Sequence, residues 1–172
     1  MGHSGAVRCK VARAVAEVMD PEPNSETTTF YSSTFKHGVD EKRRVQIPAK
    51  WRPAKPVDFH LILWPKSSHG MCLRVLPQRE MVRLLKEIED MPSSDPNKLT
   101  LKRFIGSESV QVSVDKGGRI CLPEDMANAA DIKDQATLVG LLNQFEIWNP
   151  ERYLKVKAAD AVMAQEAFKM MV

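Results

Sequence analysis

The sequence predicts an α+β chain with a mainly β core, built twice over and folded about an internal pseudo-two-fold axis. Three observations predict it. The stretch Val114–Pro123 has an earlier echo at Val39–Pro48: Asp40 and Asp115, Arg44 and Arg119, Val45 and Ile120, Ile47 and Leu122, Pro48 and Pro123 match at one offset of 75 residues. Around both stretches, apolar and polar residues alternate with the period of two that belongs to half-buried strands. Proline stands at the start of four short helical patterns, at Pro48, Pro77, Pro123 and Pro150, where its missing N–H leaves no intrahelical bond unmade.

The first 29 residues read as a tail. Val11–Met19 can form a short helix, but Asp20-Pro21-Glu22-Pro23-Asn24-Ser25-Glu26 is loop composition. Residues 30–91 form the first copy with its helix. Strand signals run over Thr28–Phe35, then Lys36-His37-Gly38-Val39 leads into the first turn. Arg44-Val45-Gln46-Ile47 alternates as a strand, Pro48 ends it, and Ala49-Lys50-Trp51-Arg52 is a helical turn cut off by Pro53. Phe59–Trp64 and Met71–Leu76 are apolar strands joined by a polar hairpin loop. Gln78–Met91 places Met81, Leu84, Leu85 and Ile88 on one helical face, with Glu87 and Asp90 among the solvated residues opposite.

Residues 92–106 hold a connecting helix that begins near Asp95-Pro96. The second copy, 107–153, opens with Val110, Val112 and Val114 alternating with Gln111 and Ser113. Gly117-Gly118 supplies positive-φ positions for its turn. Pro123–Ala130 is a short helix, Thr137–Leu141 a strand, Asn143-Gln144 a turn and Phe145–Trp148 the closing strand. A last helix starts at Pro150, fills 154–172 and runs to about Met171, with Val156, Ala159, Val162 or Met163, and Phe168 as its apolar side. The closing segments of the two copies match best with Pro77 on Pro150, an offset of 73.

The chain has 172 residues, enough for one domain with a core that needs no disulfide staples. Its three cysteines, Cys9, Cys72 and Cys121, are odd in number and show no Cys-x-x-Cys spacing, which fits reduced thiols in a cytosol. Apolar runs such as Leu61–Trp64 are too short to span a bilayer. No membrane partner is expected.

The net charge of +3 is too small to argue for nucleic acid by itself. Its distribution says more. Lys36, Lys42, Arg43, Arg44, Lys50, Arg52 and Lys55 face only Asp40 and Glu41 over one short segment, a candidate phosphate-binding surface. A short Asp side chain can accept N–H bonds from its own turn, which gives Asp40 and Asp115 a turn-structuring role alongside Gly118. Arg44 and Arg119 leave each turn where a planar guanidinium can reach phosphate or a guanine edge. A salt bridge from each arginine to its own aspartate is the competing use of the same pair. Lys42, Arg43 and Lys116 are cations suited to phosphate.

Catalysis is not expected. His3, His37, His60 and His69 have no metal-ligand spacing with the cysteines, and no nucleophile-elbow or phosphate-cradling glycine motif occurs. No cofactor or metal is implied.

At the residues Tyr31-Ser-Ser-Thr-Phe-Lys-His-Gly-Val-Asp40, the two Asp-x-x-x-Arg turns and Phe145-Glu-Ile-Trp-Asn-Pro-Glu-Arg152, the chain resembles the MraZ family. These are relatives of the AbrB and SpoVT regulators, and the resemblance covers Tyr31 to Tyr153. It implies a duplicated double-ψ or swapped-hairpin β-barrel with short peripheral helices. It also implies a cytoplasmic, nucleoid-associated transcriptional regulator, a repressor of a bacterial division and cell-wall gene cluster. Such a regulator binds repeated boxes on double-stranded DNA as a ring-shaped homo-oligomer. One turn per copy would meet DNA, which carries over to Asp40 and Arg44, then Asp115 and Arg119; Lys42, Arg43 and Lys116 join them as DNA-binding candidates on their own chemistry. The first copy departs from the family in carrying Arg43 where glycine is usual, so a differently shaped first turn is expected. The alternative is an oligomeric protein–protein scaffold with a basic rim and no specific DNA target.

Overall fold

A computed structural model of the chain describes residues 28–55, 57–66 and 68–171. The expected helix at Val11–Met19, along with His3 and Cys9, lies outside the described residues. The molecule is α+β with a mainly β core. The first copy supplies β1 (Thr34–Gly38), β2 (Arg44–Gln46), a 3-10 turn (Ala49–Trp51), β3 (Asp58–Lys66), β4 (Gly70–Pro77) and α1 (Gln78–Glu89). After α2 (Pro96–Ser107), the second copy supplies β5 (Ser109–Ser113), β6 (Arg119–Cys121), α3 (Glu124–Ala129), β7 (Gln135–Gly140), β8 (Phe145–Trp148) and α4 (Pro150–Lys169).

Strand order carries the duplication into three dimensions. One sheet runs β1-β7-β8-β4-β3-β5, and β2 pairs with β6 as a separate antiparallel ribbon. Exchanging β1 with β5, β3 with β7 and β4 with β8 reverses that order onto itself, and the ribbon maps onto itself too. The edge strands are swapped: β1 pairs with β7 of the second copy, and β5 pairs with β3 of the first. The ribbon then links the two edges, with Val39 bridging to Val45 beside β1, which gives the sheet its barrel-like closure.

The pseudo-two-fold axis passes between β4 and β8, where Arg74 stands opposite Glu146. Arg74 Nη2 donates to Glu146 Oε2 at 2.9 Å, and Trp148 Nε1 donates to Glu146 Oε1 at 3.1 Å. The Arg74 guanidinium also lies 3.8 Å over the Trp64 ring. A carboxylate so deeply placed is tolerable because it is paired and hydrogen-bonded.

Alternation decides which side of each strand is buried. Val45, Ile47, Ile120 and Leu122 from the two echoes are all within 1% of full burial. Around them pack Tyr31, Trp51, Phe59 and Phe145, with Trp51 and Phe145 ring centroids 5.0 Å apart and Tyr31 and Phe145 5.3 Å apart. Edge-on and tilted contacts of this kind add to area burial. Burial pushes the Tyr31 phenol up to about 12, with Arg79 pulling weakly the other way.

Several expectations need correction. The first strand begins at Thr34, not Thr28, because Ser33 takes φ 78° and breaks the ladder after the Tyr31–Leu142 bridge. The helices that close each copy start at Gln78 and Pro150, 72 residues apart, so Pro77 caps α1 while Pro150 lies inside α4. Leu85 is 52% exposed, whereas Ile88 is buried. In α4 Val156 is buried, but Val162, Met163 and Phe168 are 68%, 70% and 65% exposed. Among the described residues nothing covers the apolar side of that stretch of the helix. Among the described residues no helix is long and apolar enough to cross a membrane.

Candidate nucleic-acid interface

Each Asp-x-x-x-Arg stretch folds as a hydrogen-bonded turn leading into one strand of the ribbon. In the first, Arg43 N–H donates to Asp40 O at 2.9 Å and Asp40 N–H to Arg44 O at 3.1 Å. The Asp40 carboxylate takes N–H bonds from Lys42 and Arg44 on Oδ1, at 3.0 and 2.8 Å, and Arg44 Nε on Oδ2 at 2.7 Å. The second repeats every bond. Gly118 N–H donates to Asp115 O at 2.9 Å, Gly117 and Arg119 N–H donate to Asp115 Oδ1 at 2.9 Å, and Arg119 Nε donates to Oδ2 at 3.1 Å.

These bonds hold the ionised aspartates. The Asp40 carboxyl is drawn below its ordinary 3.8 first by the Arg44 backbone N–H, and then by the Arg44 side chain and the Lys42 N–H. Asp115 is lowered in the same way, first by the Arg119 N–H. The architectural reading of both aspartates therefore has a geometric basis, and each arginine does pair with its own aspartate.

Pairing does not hide the arginines. Ribbon register sets Val45 against Ile120 on the buried side, Arg44 against Cys121 and Gln46 against Arg119 on the outer side. The two side chains keep 32% and 35% exposure. They lie on one face, close enough for Arg119 Nη1 to stand 3.8 Å from Asp40 Oδ2. Lys42 and Lys116 are exposed at the two turn tips.

Arg43 is placed differently from the other cations. It adopts φ 57° where Gly118 has φ 78°, and its Nε donates to Leu122 O at 3.1 Å. The first turn thus keeps the shape of the second, contrary to expectation. Gly117 does not use a positive φ; among the two glycines only Gly118 does.

Two neighbours of the turns have contacts that the sequence did not show: Gln46 has no role there on sequence alone, and Arg52 only that of one cation of a phosphate-binding surface. Gln46 Nε2 donates to Gly117 O and Gly118 O at 2.9 and 3.2 Å, tying the first strand to the second turn. Arg52 Nε donates to Ile47 O at 2.9 Å. For Gln46, strand alternation was a usable signal, since it sets that residue on the outer face beside Arg44. Cys121 is exposed on the same face, and Cys72 is buried near the axis. His37 and His60 lie away from the ribbon face: His37 is on β1 stacked against Phe35, and His60 meets Gln78 at 2.6 Å. Among the described residues no group of three or more His, Cys, Asp or Glu is placed to hold a metal ion.

Residues 105–171 match a family model described as MraZ protein, putative antitoxin-like. Several relatives carry the name transcriptional regulator MraZ. That of Halothermothrix orenii is 30% identical over 126 residues, covering 72% of this chain and 84% of its own. That of Rickettsia typhi is 34% identical over 127 residues, covering 73% and 85%. The Caulobacter vibrioides protein is 29% identical over 137 residues, covering 80% and 88%. With likeness of this extent on top of a doubled Asp-x-x-x-Arg turn and a swapped, two-fold sheet, the chain belongs to the MraZ family.

Proposed function

We propose that this chain is a DNA-binding transcriptional regulator and no enzyme, and that the outer face of the β2–β6 ribbon with its two turns is the surface that meets double-stranded DNA. The observation that carries the reading is the placement of Arg44 and Arg119 on one face, partly exposed and each steadied by its own aspartate. A two-stranded antiparallel ribbon has dimensions that a major groove admits. In each pair Nε is engaged, and the outer edge of the guanidinium is the part that can meet a phosphate or a guanine edge. Lys42 and Lys116 at the turn tips are placed for phosphates on either side.

One chain offers few such contacts. Useful affinity then comes from several copies on repeated boxes, where linkage raises the effective concentration of each further contact. A ring-shaped homo-oligomer meets that need, and the uncovered apolar residues of α4, among them Val162, Met163 and Phe168, are a surface through which copies can associate. The reading extends, through the family, to repression of a division and cell-wall gene cluster in the cytoplasm, at the nucleoid.

The test is a titration with DNA from upstream of the protein's own gene, against a shuffled probe, at two salt concentrations. Tighter binding to the native probe, with affinity falling steeply as salt rises, is the expected result. Equal affinity for both probes reduces the reading to non-specific binding.

A further inference from the structure

At the offset of 75 residues that aligns the two halves, two of the positions where they differ are linked. Gly118 stands where the first turn has Arg43, and Ala127 stands where the first copy has Arg52. The geometry explains why these two exchanges go together. A Cβ on Gly118 would meet the Arg52 guanidinium, 2.6 Å from its Cζ and Nε. The Arg52 group therefore occupies the space a Gly118 side chain would need, while its Nε donates to Ile47 O at 2.9 Å. Ile47 in turn donates its N–H to Gly118 O at 2.9 Å, so this guanidinium closes over the junction of the second turn with the opposite strand.

In the first turn the same junction is Leu122 N–H to Arg43 O at 2.8 Å. Leu122 O, the counterpart of Ile47 O, also accepts from an arginine Nε, but that arginine is Arg43 itself, at 3.1 Å. Residue 127, where a second copy of Arg52 would stand, is alanine, and it lines an open cleft of about 380 Å³ beside the turn with Glu41, Arg43, Glu124 and Asp134. An arginine at 127 with Arg43 still present would repeat the collision that Gly118 avoids. Each of the two carbonyls accepts from one arginine Nε, and the source of that arginine is switched.

We propose that Arg52 and Arg43 are positioning residues, each clamping one Asp-x-x-x-Arg turn onto the ribbon through the carbonyl of residue 47 or 122. Arg52 works from outside the second turn and Arg43 from inside the first. Their effect on DNA is exerted through Arg119 and Arg44, so this inference rests on the function proposed above. The glycine-to-arginine departure at residue 43 is thereby compensated, and positions 43 with 127, and 118 with 52, are each coupled.

The experiment uses the full chain as wild type, Arg52→Ala, Gly118→Arg and the double variant Arg52→Ala with Gly118→Arg. DNA affinity is measured over a salt series, and amide exchange of Gly118 and Arg119 is measured without DNA. Arg52→Ala is expected to weaken binding by about tenfold, to leave the slope of affinity against salt unchanged and to speed exchange at both amides. Gly118→Arg alone loses at least as much. The double variant, which builds the second turn on the plan of the first, recovers to within about threefold of wild type.

The proposal is overturned if Arg52→Ala binds like wild type or if the double variant is no better than Arg52→Ala. It is also overturned if the salt slope falls by about one, which marks Arg52 as a direct phosphate contact. Should wild type show no preference for its native DNA, the functional reading fails separately. The clamp then stands on recovery of amide exchange in the double variant and falls without it.

Discussion

The two turns of this molecule use the same bonds and different residues. Every hydrogen bond of Asp40 to its own turn has a counterpart at Asp115, yet one turn bends at Gly118 and the other at Arg43. A left-handed conformation costs a non-glycine residue about 1 kcal/mol, and the bond from Arg43 Nε to Leu122 O offsets it. The strand pairing on either side fixes the turn, and the residue inside it adapts. The two are not fully equal, however. Asp40 faces both Arg44 at 2.7 Å and Arg119 at 3.8 Å, so the second arginine leans toward the first turn.

The largest difference between the halves lies in the core. Trp51 is 1% exposed among Phe35, Tyr31 and Phe145, while its counterpart 75 residues on, Met126, is 8% exposed. Trp51→Ala is expected to cost about 4 kcal/mol and Met126→Ala about 2 kcal/mol by chemical denaturation. Equal losses would break the claim that Trp51 contributes more to the core than its counterpart Met126.

Two glycines sharpen the comparison further. A Cβ on Gly140 would stand 2.3 Å from the carbonyl oxygen of Tyr31, a backbone atom that cannot swing away. Gly140→Ala is expected to destabilise by about 2 kcal/mol. Gly106 in α2 has nothing within 4 Å of the same added atom, and Gly106→Ala is expected to stabilise by about 0.5 kcal/mol. A Gly106→Ala variant that melts earlier would contradict this.

The smallest effect is on pH. Both turn aspartates have carboxyls held below 3.8 in the folded chain. A depressed value contributes stability that is present above the unfolded value and is lost as pH falls through the folded one. The turns should accordingly remain closed at pH 3.8, where an ordinary aspartate is half protonated, and open only below it. Carboxyl chemical shifts through an acid titration check this for each turn. A midpoint at or above 3.8 for either aspartate would contradict it.

Much of this was legible in the chain. Alternation placed Val45, Ile47, Ile120 and Leu122 inward, and proline placed the starts of α1 and α4 to within a residue. The doubled Asp-x-x-x-Arg pattern found the residues that now face outward together. What stayed hidden was long-range or one-sided. Nothing local tells β1 to pair with β7 and β5 with β3, since a strand's pattern fixes its buried face and not its neighbour. Arg52 on Gly118 joins residues far apart in sequence. The outward Val162, Met163 and Phe168 show the opposite limit, because helical spacing marks an apolar side without supplying anything to cover it.

The most direct measurement compares Arg44→Ala with Arg119→Ala, together and singly, in binding to DNA from upstream of the protein's own gene, with oligomer size and melting followed in parallel. The account predicts a loss of about tenfold for each single variant and about a hundredfold for the pair. The salt slope should fall by about two for the pair, with assembly and melting unchanged. Undiminished binding by the double variant, or loss of binding only because the assembly comes apart, would contradict it.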